Sequence, residues 1–556
     1  MGIVQRLEQN LVKVETRVRD LLPTQTFFIK TMGIYLNPSN NLFQETLRGK
    51  IYVDKTMLIS ELNNFIDEGN KYICVSRPRR FGKTIATNML CAYYSKGCDS
   101  REIFKNLKIS KADNYEKYLN KLNFIAIDVA SEYQNAGEKE NMLEKLTTFL
   151  KDEFIAQFPK VDFKACESIA DCMLKVYSAT GETFVIILDE YDCLVRNQFG
   201  TGLFEKYLGF LNGLFKSNTL RQAISLAYIT GILPVVRDRV QSKLNNFAEY
   251  TILNSYQLAE YVGFTDEEVK PLCEKYGVDF TECKREYDGY KQNGFEIYNP
   301  ESVVKCMLTK SIESFWSKTS TYQVITDRLK ENYKGIKDDV IRMIAGENVK
   351  VDTGMYLNTM TDFVVKDDVL TYLIHLGYLA YNKDNQTCRI PNKEVEKEWF
   401  RAVSILKNYS VTDKIIKSSE ELLNQTLDKN CRAVEKALDK SHIHVTSNRS
   451  YNNEDALMSA IYLAYIYAKN EYTVIKEMTT GKGFADVVFI PFYPGKPAMI
   501  IELKRNGSTE SALNQIKNKE YYDSLEHYFG KLLFVGINYD EKTKKHQCEI
   551  LEFEKE

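Results

Sequence analysis

A chain of 556 residues is too long for one ordinary hydrophobic core, and at roughly 150 residues per domain it predicts three or four folded units. With 44% hydrophobic and 27% charged residues the composition excludes dominant disorder, and a net charge of −2 with a pI near 6.4 excludes an overall electrostatic footprint for nucleic acid. No apolar run reaches the roughly 20 residues of a membrane span and no signal-peptide core opens the chain, so no membrane partner and a cytoplasmic location are expected.

Residues 1–31 place apolar positions (Val4, Leu7, Leu11, Val14, Val18, Leu21) at helical spacing and predict an amphipathic extension without chemistry. Met32 opens a different stretch and offers an internal start. From residue 52 to about 253, short β-rich runs at 72–76, 124–129, 184–188 and 224–230 alternate with helical segments, the pattern of a parallel sheet covered on both faces.

The first run breaks into Arg77-Pro-Arg-Arg-Phe-Gly-Lys-Thr84. Gly82, Lys83 and Thr84 are the ending of a phosphate-binding loop, in which backbone N–H groups and a helix N-terminus face phosphate, Lys83 reaches the β- and γ-phosphates and Thr84 holds Mg²⁺. Arg77 stands where that pattern has glycine, and Arg79 and Arg80 make the loop stiffer and more positive and are expected, with Gly82, Lys83 and Thr84, to bind the nucleotide. The third run leads into Asp189 and Glu190, at the carboxyl end of a buried strand where open α/β sheets bind ligands. This looks like a Walker B motif: Asp189 would hold Mg²⁺ through water and Glu190 would polarise an attacking water. Together the two stretches predict ATP binding. Thr230, at the tip of the fourth run, is either a γ-phosphate sensor or part of a plain turn, and Arg237 and Arg239 are either arginine fingers or solvated side chains.

Tyr287-Asp-Gly-Tyr290 reads as a turn, and Tyr298-Asn-Pro300 as the opening of a helix, with no chemistry assigned. Residues 337–400 read helix, helix, hairpin (338–344, 367–376, 378–381 and 387–390), an order that resembles a winged helix and serves either DNA binding or lid-like packing. Residues 401–450 are helical, with Ser418 and Glu421 spaced as a capping box. His442 and His444 are the only close histidine pair, and they read as a solvated turn. The 12 cysteines lack a C-x-x-C and read as reduced and packed.

The last hundred residues hold a second constellation. A helical stretch starts at Glu454, a turn over 479–484 leads to Asp486 at the head of a strand, and a second apolar strand over 498–501 ends in Glu502, Leu503 and Lys504. On consecutive antiparallel strands Asp486 and Glu502 can meet at one end, giving an oxygen site suited to Mg²⁺ or Mn²⁺. Lys504 points to the same face as Glu502, where it can orient or deprotonate a water. The arrangement resembles the PD-(D/E)XK nuclease core, with Glu454 matching the acidic residue of the first helix and Gln515 the glutamine of the helix after the second strand. Phe484, in Gly481-Lys-Gly-Phe-Ala-Asp486, stands where such nucleases usually carry the arginine of G-x-G-R-x-D.

With both sites in hand, the chain resembles a family of uncharacterised bacterial proteins that join an AAA-ATPase-like domain to a PD-(D/E)XK nuclease domain. The residues that carry the resemblance are Met32-Gly-Ile-Tyr-Leu-Asn-Pro38, Tyr52-Val-Asp-Lys-Thr56, Ser76 to Thr84, Leu188-Asp-Glu-Tyr-Asp192, Thr230-Gly231, Leu244-Asn-Asn246, Tyr287 to Tyr290, Ile390-Pro-Asn-Lys-Glu394 and Ile501-Glu-Leu-Lys504. In that family the arginine-rich loop is the regular form. The expected fold is multidomain α/β: an N-terminal helical extension (1–31), a P-loop NTPase parallel sheet (32–300), a winged-helix-like helical middle (301–400), a helical connector (401–450) and a nuclease-like α/β domain (451–556). The resemblance implies an ATPase with a metal-dependent nuclease acting on nucleic acid, DNA first, and is compatible with a homo-oligomer. The alternative is a nucleotide-dependent switch whose nuclease fold is catalytically silent.

Overall fold

The computed structural model describes residues 33–198, 200–235, 244–316, 322–344, 346–354, 356, 363–406, 410–445, 454–480, 483–491, 495–518 and 530–555. The extension over 1–31 and the pair Arg237 and Arg239 lie outside them. The chain forms two compact units. The first takes in residues up to Ile73, Thr84–Tyr191 and Gly200–Ile229, and the second takes in Cys74–Lys83, the segment that starts at Asp192, and the chain from Thr230 onward.

The parallel sheet is built from β1 (Tyr72–Ser76), β2 (Asn123–Asp128), β3 (Phe184–Asp189), β4 (Ile224–Gly231) and the short β5 (Ala248–Tyr250), in the order β2-β3-β4-β1-β5. Each residue of β1 and β3 is buried, which is why their sequences read as unbroken apolar runs rather than alternating ones. Asn123 pairs with Phe184, and the register ends with Asp128 beside Asp189. Helix α1 (Lys83–Tyr94) follows the loop that leaves β1.

In the second unit, β6 (Phe264–Thr265), β7 (Tyr290–Gln292) and β8 (Phe295–Tyr298) form a small sheet in the order β6-β8-β7. Asn299 then caps α2 (Pro300–Thr309), its side chain accepting from the N–H groups of Glu301 and Ser302. The winged-helix-like order is present as α3 (Ile336–Ile344), β9 (Val349–Lys350), α4 (Lys366–His375), β10 (Ala380–Asn382) and β11 (Thr387–Arg389), with the strands arranged β10-β11-β9. Helix α4 is buried at every position from Asp368 to His375. Helix α5 (Lys393–Ile405) runs across residue 400, where the sequence suggested a boundary. The expected capping box does not start a helix: Ser418 lies inside α6 (Ser410–Leu427), whose amphipathic pattern extends further back than the local cap signal. His442 and His444 sit in α7 (Cys431–Val445) rather than in a turn.

The C-terminal part opens with α8 (Glu454–Ala464) and closes with a five-stranded sheet of β12 (Tyr472–Thr480), β13 (Gly483–Pro491), β14 (Ala498–Arg505), β15 (Gly530–Asp540) and β16 (Lys545–Lys555), arranged in chain order. The pairs are antiparallel except β14 with β15, which run parallel around the crossover helix α9 (Thr509–Asn518). Val488, Ile500, Leu513, Ile516, Leu532 and Phe534 form the core that seats α9 on the sheet.

Candidate functional site

The loop after β1 is held by its own side chains. Arg77 is fully buried, and its guanidinium donates to the carbonyls of Ser76 at 2.9 Å, Tyr250 at 2.8 Å and Leu258 at 3.5 Å. A glycine there would leave those carbonyls without these donors. Pro78 packs on Gly377, where an added Cβ would come within 2.8 Å of the proline ring. Arg80 pairs through Nε with Glu301 at 3.3 Å and donates from Nη1 to the Trp316 carbonyl at 3.4 Å. Phe81 is buried edge-on against Tyr290, with ring centroids 5.3 Å apart. Lys83 is buried, and its ammonium donates to the carbonyls of Arg77 at 3.2 Å and Pro78 at 3.1 Å, which keeps it over the loop. Gly82 takes φ 87°, the left-handed region that favours glycine. Arg79 and Thr84 are exposed. The hydroxyl of Thr230 donates to the Val75 carbonyl at 2.7 Å.

In the first unit, Asp189 ends β3 almost fully buried and accepts from the Glu190 N–H at 2.9 Å. Its other oxygen lies 3.4 Å from the Thr87 hydroxyl, one turn into α1, and that hydroxyl is also 2.9 Å from the Thr84 carbonyl. Glu190 takes φ 48°, a left-handed kink that turns the chain away from the strand direction. Thr87 was not singled out by the sequence, although its place one turn after Lys83 was the available signal. Asp192, in the second unit, accepts from Arg196 Nε and from the Leu233 N–H, each at 2.9 Å, and so ties the segment after β3 to the one after β4.

The C-terminal carboxylates are brought together by register. Val487 pairs with Ile501 at the end of the β13–β14 ladder, and Asp486 and Glu502 are the residues directly beyond that pair. Asp486 accepts from the Leu503 N–H at 2.7 Å. Glu502 is 1% exposed, and the Lys504 ammonium lies 3.1 Å from its Oε1. The same ammonium donates to Gln515 Oε1 at 2.7 Å, across from α9. Lys504, Glu502 and Ile500 share one face of β14, and Ile500 packs with Leu513 and Ile516 of α9, which explains why Gln515 reaches the lysine. Glu454 is the first residue of α8; its side chain lies outside the described residues. Among the described residues no group of three or more His, Cys, Asp or Glu side chains is arranged to hold a metal ion; Asp486 and Glu502 are two carboxylates that a cation could use, completed by a carbonyl and water. That oxygen-only set suits a hard divalent ion that keeps part of its water shell.

Residues 41–241 match the AAA-ATPase-like family, described as predicted AAA-ATPase, and residues 452–549 match the PD-(D/E)XK nuclease superfamily. A relative from Azotobacter chroococcum mcd 1, an uncharacterized protein in the vnfD 5' region, is 23% identical over 286 residues, which cover 50% of this chain and 52% of that protein. The match thus spans about half the length of that relative. The Aeropyrum pernix ORC2 protein, solved in ADPNP and ADP complexes, is similar at 11% identity over 64% of this chain and 96% of its own, with a TM-score of 0.27, too low to argue from. Among the described residues no helix is long and apolar enough to cross a membrane. The chain joins an AAA-ATPase-like domain at residues 41–241 to a PD-(D/E)XK nuclease-superfamily domain at residues 452–549.

Proposed function

We propose that the protein binds and hydrolyses ATP and that its C-terminal domain is a metal-dependent nuclease, cutting phosphodiester bonds of nucleic acid, DNA first, under nucleotide control. The observation that supports this best is Asp486 and Glu502 next to the Val487–Ile501 pair, with Lys504 held between Glu502 and Gln515, inside the residues that match the nuclease superfamily. The working division is 32–300 for the ATPase part, 301–400 for the winged-helix-like part, 401–450 for the connector and 451–556 for the nuclease part.

Asp486 and Glu502 would hold Mg²⁺ or Mn²⁺. Bound there, the ion supplies polarisation of the phosphate and a water of lowered pKa. Lys504 would offset charge that builds on phosphate oxygens beside Glu502, and Gln515 fixes the direction in which its side chain points. Lys83 would reach the β- and γ-phosphates, Thr84 and Asp189 would hold Mg²⁺, and Glu190 would orient a water. Helix α4 is buried on all sides from Asp368 to His375, so it has no face left for a DNA groove, and nucleic-acid contact falls to the nuclease part.

The nucleotide half is tested by titrating a labelled ATP analogue and measuring phosphate release. Lys83→Ala should abolish binding, and Glu190→Gln should keep binding while slowing turnover. Unchanged turnover in Glu190→Gln removes Glu190 from the water-orienting role.

A further inference from the structure

The loop between β1 and α1 carries an arginine where its backbone calls for glycine. Arg80 takes φ 71°, a left-handed conformation that is costly for any residue with a Cβ and that persists only where its surroundings over-determine it. Those surroundings are on the page. The Arg80 side chain is 10% exposed, pairs with Glu301, donates to the Trp316 carbonyl, and lies 5.5 Å from the centroid of the Trp316 ring. Trp316 is itself fixed, because its N–H and that of Phe315 each donate to Glu394 Oε1 at 2.7 Å. Ser302, next in sequence to Glu301, donates to the same carboxylate at 2.9 Å. Arg80 therefore closes a ring of contacts running through Glu301, Ser302, Glu394 and Trp316.

We propose that Arg80 is the positioning residue of the phosphate loop. Its anchorage on Glu301 and Trp316, in place of glycine's freedom, holds the turn at residues 80–82, left-handed at Arg80 and Gly82, that aims loop N–H groups at phosphate. This rests on the reading of the loop as a nucleotide site. A guanidinium engaged in this way is not the loop's phosphate ligand, and that charge falls to Lys83 and the exposed Arg79.

Glycine supplies the deciding variant, because it is at ease at φ 71° and carries no anchor. The full-length chain, Arg80→Gly, Arg80→Lys, Glu301→Gln, the Arg80→Gly/Glu301→Gln double variant and Lys83→Ala are titrated with a fluorescent ATP analogue in Mg²⁺, with melting temperature followed in parallel. Arg80→Gly is expected to bind at least about tenfold more weakly than the parent, and Arg80→Lys to recover part of the loss. The double variant should be no weaker than Arg80→Gly alone, since both changes break one contact. Should Arg80→Gly prove unstable, Glu301→Gln alone decides: it leaves the loop sequence intact and is expected to weaken binding severalfold. Parent-level affinity in a folded Arg80→Gly, or in Glu301→Gln, or additive losses in the double variant, overturns the proposal. A parent that binds no nucleotide, or a Lys83→Ala chain that binds as tightly as the parent, instead refutes the nucleotide reading and takes the proposal with it.

Discussion

Glu394 shows how much one buried carboxylate can organise. It is fully buried, accepts from two backbone N–H groups and a hydroxyl, and burial pushes its carboxyl up to about 7 against the pull of those donors. A carboxyl raised in the folded state contributes stability that is complete below its unfolded value of about 4.5 and is lost as pH rises through about 7. Relative to Glu394→Gln, which stays neutral and keeps one acceptor oxygen, the parent should lose about 3 kcal/mol between those pH values, read by denaturant melts at each pH. A constant difference between the two would place the titration elsewhere. At the nuclease face, Gln515→Ala should leave the fold intact, because Gln515 is half-buried and outside the buried face of α9 formed by Ala512, Leu513 and Ile516, and lower cleavage by about tenfold by letting the Lys504 side chain wander; the measured quantity is kcat at saturating metal. The sequence made Lys504, Glu502 and Asp486 legible because strand periodicity fixes faces. It could not reveal that Arg77 and Arg80 are anchors, since Tyr250 and Leu258, which accept from Arg77, and Glu301, which pairs with Arg80, lie more than 170 positions away in the chain.

Among the elements, the winged-helix-like part differs most from its sequence-level promise. The order of helices and strands was readable from periodicity, yet a recognition helix needs an open face, and α4 has none from Asp368 to His375. Its end packs toward the loop instead: Gly377, at φ 84°, sits against Pro78 and Trp316, and Tyr290 donates to the Gly377 carbonyl at 2.6 Å. Gly377→Ala should therefore cost about 2–3 kcal/mol, from left-handed strain and the Pro78 clash together, measured by chemical denaturation. A cost below about 0.5 kcal/mol would mean that the contact yields freely. Other short motifs gain reasons here. Asn392 donates to the Asp288 carbonyl at 2.6 Å, and a Cβ on Gly289, at φ 118°, would strike the Pro391 carbonyl at 2.2 Å. Strand β12 was missed because it stands at the sheet edge, where Thr473, Val474 and Ile475 are all half-buried and the alternation that marks a strand is weak. The parallel sheet was easy by contrast, since burial on both faces writes itself as apolar runs.

At the scale of the whole molecule, an AAA-ATPase-like domain and a PD-(D/E)XK nuclease-superfamily domain share one chain whose net charge of −2 gives no general attraction for nucleic acid. On the proposed function, specific contact would come from the nuclease part and nucleotide control would pass through the phosphate loop, whose Pro78 and Arg80 contact Gly377 and Glu301 while Phe81 packs on Tyr290. The most direct measurement is cleavage of mixed single- and double-stranded DNA and RNA by the full-length chain in Mg²⁺ or Mn²⁺, with and without ATP, beside Asp486→Ala and Lys83→Ala. The account predicts metal-dependent products whose yield changes with ATP, products absent from Asp486→Ala, and an ATP response absent from Lys83→Ala. No cleavage under any condition, as a silent nuclease fold would give, or equal cleavage by Asp486→Ala, would contradict it.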